Sequence, residues 1–378
     1  MNLRRRSILK AGLASGTGML TSCGNRPRSP SPAGWNAPSE EPSATSAPSS
    51  GPNASPTTSP APSGYTARLA DILTRYLART TDHPKYPAYA GAVVLTTING
   101  AVTAHRAVGH ALRYGPGPVD LGTADRVAMR PDSIFDLASI TKVFTALLVL
   151  QQAERGRIDL AAPVASHLPE FTGTGKDAVT PAMLLAHTSG LPDAISLSST
   201  PSIAERRAVI LRAGLVSGAV PGTVFRYSDL NYMTLALLLE KVTGQPLDAL
   251  VRTNVTGPLG LRDTGFLPLT WLSSDARATR LVATDAVSRR GLLRGIVHDS
   301  NADVLGGVAG HAGMFSTAAD LAVVGQMLLN HGQYAGKRLL AEATVKRMLT
   351  NANPGLPRWT RTTARGPGGR PGRVSGSS

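Results

Sequence analysis

The sequence predicts an α+β fold, and three observations carry that prediction. Residues 90–109 read as two strands joined by a tight turn. Apolar residues then recur at helical spacing in several segments between Tyr65 and Met348. The 378 residues are enough for a large core and one or two domains.

Charge and cysteine content exclude some functions. The formal net charge is +15, but much of it sits at the ends. Residues 1–28 carry Arg4, Arg5, Arg6, Lys10, Arg26 and Arg28 without an acid, and residues 351–378 carry Arg358, Arg361, Arg365, Arg370 and Arg373 without one. The middle of the chain holds only a mild positive excess. It lacks a basic stripe interleaved with aromatics, which argues against a nucleic-acid partner. Cys23 is the single cysteine, so neither an internal disulfide nor a cysteine-based metal site is expected.

Taken in order, residues 1–23 read as an export signal. Arg4 to Lys10 form a charged start, and Ala11 to Leu20 are too short and too glycine-rich to span a bilayer. Arg5-Arg6 resembles a twin-arginine signal. Leu20-Thr21-Ser22-Cys23 resembles a bacterial lipobox, which makes Cys23 the expected lipidation site and the mature N-terminus. The expectation is an extracytoplasmic protein held at the cell membrane by that lipid. Residues 24–64 are rich in Ser, Pro and Ala with few large apolar residues; such a segment cannot bury enough surface to fold and reads as a disordered tether.

The folded part is expected over residues 65–350. Tyr65 to Thr81 read as a helix with Leu69, Ile72, Leu73, Tyr76 and Leu77 on its apolar side. Ala90–Thr96 and Ala101–Gly109 are the two strands, and Asn99-Gly100 is the hairpin turn. His105 and His110 fall in the second strand and read as sheet residues rather than ligands. Ser139 opens a helix that runs to about Arg155. Met183–Leu185 read as a short helix ended by a turn with Gly190 as its stop, braced by His187 and Thr188. Ile203–Leu215, Tyr232–Val242, Leu321–Leu329 and Leu339–Met348 also read as helices. Between them, Val304–Thr317 form a glycine-rich run without phosphate-loop spacing, whose glycines are expected to let the backbone pass close to a neighbour.

The chemistry is concentrated in Ser139-Ile140-Thr141-Lys142. On a helix, positions i and i+3 share a face, so Lys142 can reach the Ser139 hydroxyl. The helix start favours developing negative charge, and serine needs an adjacent base to become a nucleophile, which a buried lysine can supply. The apolar residues on both sides imply a buried site, where an idle lysine would be costly. Tyr227 lies in a polar loop just before a helix. Its oxygen can shuttle a proton beside a lysine ammonium, while Ser228 or Asp229 caps the helix.

Together, these segments resemble the serine beta-lactamase and penicillin-binding-protein superfamily, in its class C-like branch, from about Ala90 to Leu356. Ser139-Ile140-Thr141-Lys142 is similar to the nucleophile motif. Tyr227-Ser228-Asp229 is similar to the second motif, Tyr-x-Asn, with Asp229 in place of the amide that contacts substrate. Leu184–Pro192 and Gly306–Gly313 are similar to family segments as well. The resemblance implies an antiparallel sheet flanked by helices beside a mainly helical region, with Ser139 between them. It also implies acyl transfer through an acyl-serine intermediate, with Ser139, Lys142 and Tyr227 catalytic, Asp229 at the substrate, a backbone oxyanion hole that includes Ser139, and no metal or organic cofactor. The substrate class is a cell-wall peptide, a beta-lactam or an ester. The family's third motif is Lys-Thr-Gly or His-x-Gly on a late strand; neither Lys-Thr-Gly nor His-Thr-Gly occurs, and His311-Ala312-Gly313, which fits the pattern, aligns better with the glycine-rich segment. The last strands are therefore expected to be missing, with residues 351–378 a disordered basic tail. The alternative to a hydrolase is a catalytically incomplete, lipid-anchored binding protein.

Overall fold

A computed structural model describes residues 64–358. The expected signal with Cys23, nearly all of the expected tether and the tail beyond Arg358 lie outside the described residues. The α+β expectation holds: antiparallel sheets and helices alternate along the chain. Helix α1 spans Tyr65–Arg75 and stops short of Thr81. Arg113 donates to the Leu77 carbonyl, and Leu77 packs against Gly109, so the chain turns onto the second strand. Ile72, expected on the buried side, is exposed, because the stripe that meets the sheet runs through Leu69, Leu73, Tyr76 and Leu77.

Strands β1 (Gly91–Ile98) and β2 (Ala101–Leu112) form the hairpin. Asn99 and Gly100 both take positive φ, 51° and 80°, the turn whose twist matches paired strands. Pairing begins at Ile98 with Ala101 and ends at Gly91 with Gly109, with one bulge at Thr96/Thr97. The far side of β2 pairs with β3 (Val127–Ala128), giving the antiparallel order β1-β2-β3. Among the described residues no strand pairs with the outer edge of β1.

A second small sheet serves the site. Strand β4 (Phe135–Asp136) pairs with β6 (Met314–Ser316), which pairs with β5 (Gly265–Phe266). It brings the glycine-rich run alongside the residues that precede Ser139.

The helical core is built on α2 (Thr141–Glu154) and α5 (Asp229–Thr243). Phe144, Leu147, Leu148 and Val149 of α2 are fully buried, as are Leu230, Leu235, Leu238 and Leu239 of α5. A helix apolar on all sides belongs inside a domain, and each such side chain contributes roughly 1.5–3 kcal/mol by leaving water. Helices α3 (Pro181–Leu185) and α4 (Ile203–Arg212) pack on α5. Helix α6 (Leu247–Val251) packs on both α2 and α5. Then come α7 (Ser300–Val304), α8 (Ala318–Leu329), which lies on β1, and α9 (Glu342–Met348). Other helix ends also differ from their expected spans: α3 starts at Pro181, α4 stops at Arg212, α5 starts at Asp229, α8 starts at Ala318, and α9 starts at Glu342. Helix α5 starts early because Ser228 takes the extended N-cap conformation. Its hydroxyl does not cap; it donates to the Pro192 carbonyl at 2.6 Å. No helix among the described residues is long and apolar enough to cross a membrane.

Candidate active site

Ser139 is presented by a single 3-10 turn, Ala138–Ile140, that feeds into α2 at Thr141. The α-helix itself thus begins two residues later than expected. Ala138 has φ 44°, a left-handed conformation that costs a non-glycine residue on the order of 1–3 kcal/mol. Asp136 holds this turn: one carboxylate oxygen accepts from the Ala138 N–H at 2.8 Å and the other from the His298 N–H at 2.7 Å. Ser139 ends up exposed, and Lys142, one turn on, lies beneath it with only 6% of its surface exposed.

The Lys142 ammonium is surrounded by acceptors. It donates to Ser139 Oγ at 2.9 Å and to the His311 carbonyl at 3.2 Å. Asp229 Oδ1 is 2.8 Å away, a charge contact outside hydrogen-bond geometry. The Tyr227 and Tyr232 ring centres lie 4.8 and 5.9 Å from Nζ, within the range where an aromatic face attracts a cation.

The glycine-rich run supplies part of this cage. The ideal Cβ position of Gly310 overlaps the Tyr232 carbonyl oxygen and lies 2.8 Å from Ala236 Cβ. Only glycine lets this loop lie against α5, which identifies the neighbour that the sequence implied. The loop is stitched to the start of α2: Thr145 Oγ1 donates to the Gly310 carbonyl at 2.8 Å, and the Met314 N–H donates to Thr141 Oγ1 at 3.2 Å. The His311 side chain is buried, and its Nε2 lies 2.9 Å from Asp299 Oδ1. Asp299 also caps α7 by accepting the Ala302 N–H. Burial pushes the Asp299 carboxyl up, but the His311 hydrogen bond and charge and the Ala302 and Asn301 N–H groups outweigh it and hold it at about 2. His311 Nδ1 is buried without a hydrogen-bond partner among the described residues.

Asp229, Asp299 and His311 offer ligand atoms within 4.8 Å of one another, the one set in the described residues that could hold a metal ion. These groups are already engaged, Asp229 with the Lys142 ammonium and Asp299 with His311.

The two tyrosines near Lys142 differ sharply. Tyr232 donates its hydroxyl to the Leu185 carbonyl at 3.1 Å, and burial, then Tyr227, pushes its phenol well above the ordinary value. Tyr227 is 44% exposed, and its hydroxyl has no hydrogen-bond partner among the described residues. Of the two, Tyr227 is the exposed one.

The turn after α3 is braced by its main chain, with the Thr188 N–H donating to the Met183 carbonyl at 2.9 Å. The chain leaves α3 through His187, with φ 59°, rather than first at Gly190, φ 81°. The His187 side chain braces a different loop. Its Nδ1 accepts from the Ser228 N–H at 3.1 Å and lies 3.2 Å from Asn231 Nδ2. Burial first, then the Lys142 charge, pushes its imidazole down to about 4, with the Asp229 charge opposing. Ser189 does not pair with His187; it donates to Asn231 Oδ1 at 2.6 Å. His105 is a sheet residue on β2, with Nε2 3.0 Å from the Pro131 carbonyl, and His110 lies on the same strand.

Ser139, Lys142, Tyr227 and Asp229 thus meet at one place. The residues missed by sequence reasoning are Asp136, Asp299 and Asn231, together with the His311 side chain. The only sequence signal was His311 inside the glycine-rich run.

Comparisons with known proteins give the chain a family, relatives and structural neighbours. A family model described as Beta-lactamase matches residues 34–375. An N-acetylmuramyl-L-alanine amidase of Bacillus subtilis (strain 168) is 30% identical over 283 residues, 68% of this chain and 63% of the relative. The chain thus spans less than two thirds of that relative's length. Among solved structures, a class C beta-lactamase from Rhodobacter sphaeroides superposes with TM-score 0.53 at 23% identity, covering 76% of this chain and 69% of the other. A D-stereospecific amidohydrolase from Streptomyces sp. superposes with TM-score 0.53 at 24% identity, covering 76% and 78%. These two share the fold.

Proposed function

This chain belongs to the Beta-lactamase family, and on that premise we propose that it is a serine hydrolase working through an acyl-serine intermediate. The observation that carries the reading is the 2.9 Å hydrogen bond from Lys142 Nζ to Ser139 Oγ, at the mouth of a cage that holds the lysine in place. Ser139 is the nucleophile. Its oxygen attacks the substrate carbonyl as its proton passes to the Tyr227 oxygen, which reacts as the phenolate beside the Lys142 ammonium. Backbone N–H groups at the start of α2, that of Ser139 among them, stabilise the oxyanion. Tyr227, with its hydroxyl facing no protein partner, delivers the proton to the departing nitrogen or oxygen. Water then attacks the acyl-serine, the same pair takes its proton, and Ser139 is restored. Asp229 holds Lys142 on one side and faces the substrate on the other.

The substrate class is a cell-wall peptide, a beta-lactam or a small ester. The name of the Bacillus subtilis relative supports the cell-wall amide. We further propose that Cys23 is lipidated and holds the protein outside the cytoplasmic membrane, on the strength of Arg5-Arg6 and Leu20-Thr21-Ser22-Cys23. Release of the full chain from membranes on Cys23→Ala substitution tests that placement; retention would reject it.

The test of the hydrolase reading is labelling of the full chain with a fluorescent penicillin and with a fluorophosphonate, beside Ser139→Ala. Labelling that disappears in the variant is the expected result. Labelling that survives in it would remove Ser139 from the chemistry. A folded chain that neither probe labels would count against the hydrolase reading.

A further inference from the structure

We propose that His187 is the positioning residue for Tyr227, fixing that tyrosine from three sides at once. The inference rests on the hydrolase reading for its consequence, but not for its geometry. The residues on either side of Tyr227 are both tied to His187: the Arg226 N–H donates to the His187 carbonyl at 2.7 Å, and the Ser228 N–H donates to His187 Nδ1 at 3.1 Å. Between these two bonds, the Tyr227 ring stacks on the imidazole, with centres 4.4 Å apart and planes 29° apart. The imidazole is itself framed by Phe225 edge-on at 6.1 Å and by Tyr232 at 5.2 Å.

The hydrogen bonds also fix the state of the imidazole. A backbone N–H can only donate, so Nδ1 is the unprotonated nitrogen. Asn231 donates to the same atom through Nδ2 while its Oδ1 accepts from the Ser189 hydroxyl, whose oxygen accepts from the Leu191 N–H at 3.1 Å. Each donor in this chain finds an acceptor, and the chain ends on His187. A protonated imidazole would lose both acceptor contacts and stand near the Lys142 ammonium. Burial keeps it neutral.

The left-handed backbone at His187 is what aims the carbonyl and the side chain at one loop. This clasp matters because Tyr227 has little else. Its hydroxyl has no hydrogen-bond partner among the described residues, and its ring also faces the Lys142 ammonium. His187 acts on the reaction through the tyrosine.

The test is the variant His187→Asn. Asparagine tolerates positive φ and places Oδ1 where Nδ1 accepts, so it keeps both main-chain ties and removes only the ring. Acylation by the fluorescent penicillin or the fluorophosphonate is measured in wild type, His187→Asn, Tyr227→Phe and the double variant. The expected result is a few-fold to tenfold loss from His187→Asn in the wild-type background, the size of one aromatic stack, and no further loss in the Tyr227→Phe background. Equal losses in both backgrounds would overturn the proposal, because His187 would then act independently of the Tyr227 hydroxyl. A second readout stands apart from activity. In ring-labelled protein the Tyr227 NMR signal, assigned by its disappearance in Tyr227→Phe, should shift and average in His187→Asn. An unchanged Tyr227 signal would sink the positioning role even if acylation falls. Failure of the wild type to react with either probe would count against the hydrolase reading and leave the NMR result to decide the placement.

Discussion

The two walls of the site are built on opposite principles. On the Ser139 side, the serine sits on a strained turn pinned by Asp136, and Lys142 is enclosed by a hydroxyl, a carbonyl, a carboxylate and two rings. On the other side, Tyr227 is half-exposed with a free hydroxyl, held through its neighbours and one ring face. A buried charge must be caged, because leaving an ammonium without partners in the interior is costly. A proton shuttle must keep its oxygen open to substrate, so its position has to be set from behind. The difference separates groups whose loss damages fold and chemistry together from groups whose loss damages chemistry alone.

The sharpest contrast is between Lys142→Met and Tyr227→Phe. Lys142→Met should lower the acylation rate about 10³-fold or more and should also lower stability, because Asp229 loses its counter-charge. Tyr227→Phe should lower acylation about 10²-fold with an unchanged melting temperature, since its hydroxyl has no partner to lose. Stopped-flow labelling and calorimetry on the two proteins check both halves. A large melting shift for Tyr227→Phe would erase the distinction between the walls.

Acid should strike the Tyr227 wall. His187 is held at about 4 in the folded protein against an ordinary 6.5. The unfolded chain therefore takes up the proton first as pH falls, and stability that is complete above pH 6.5 drains away down to about 4. The groups facing this ring are Lys142, Asp229, Tyr227 and Tyr232. The depression corresponds to about 3 kcal/mol. Denaturant titrations between pH 4 and 7 should show this loss in the wild type and a much smaller one in His187→Asn.

Smaller effects belong to the supports of the Lys142 wall. Asp299→Asn keeps a good helix cap but weakens the contact to His311, and should cost about 1–3 kcal/mol, measured by urea unfolding. Thr145→Val removes the hydroxyl that meets the Gly310 carbonyl and should cost about 1 kcal/mol, with labelling slowed no more than a few-fold. A stability loss from Thr145→Val larger than that from Asp299→Asn would reverse the assigned order of supports.

Much of this site was legible in the sequence because its chemistry is local. Ser139 and Lys142 are one helical turn apart, so spacing places them together; Tyr227 and Asp229 flank a helix start, and the family resemblance set them beside Ser139. The hairpin was legible for the same reason, since Asn99-Gly100 sets its turn. The supports were not legible. His311 and Asp299 are twelve residues apart across a glycine loop, and whether they meet depends on Gly310 lying against α5. The role of His187 was hidden more deeply: its main-chain conformation is unusual, and its partners lie some forty residues away. Read locally, it belongs to a turn; in the fold, it belongs to the loop that carries Tyr227. Ile72 marks the reverse error, where helical spacing alone assigned a buried side chain that tertiary packing left in water.

The central claim is that Ser139 forms the covalent acyl intermediate. The most direct measurement is the intact mass of the full chain after brief exposure to a penicillin and to a fluorophosphonate, followed by peptide mapping. A single adduct on Ser139, formed by at least one of the probes and lost on Ser139→Ala substitution, is the predicted result. An adduct on another residue, or none on a chain shown to be folded, would contradict it.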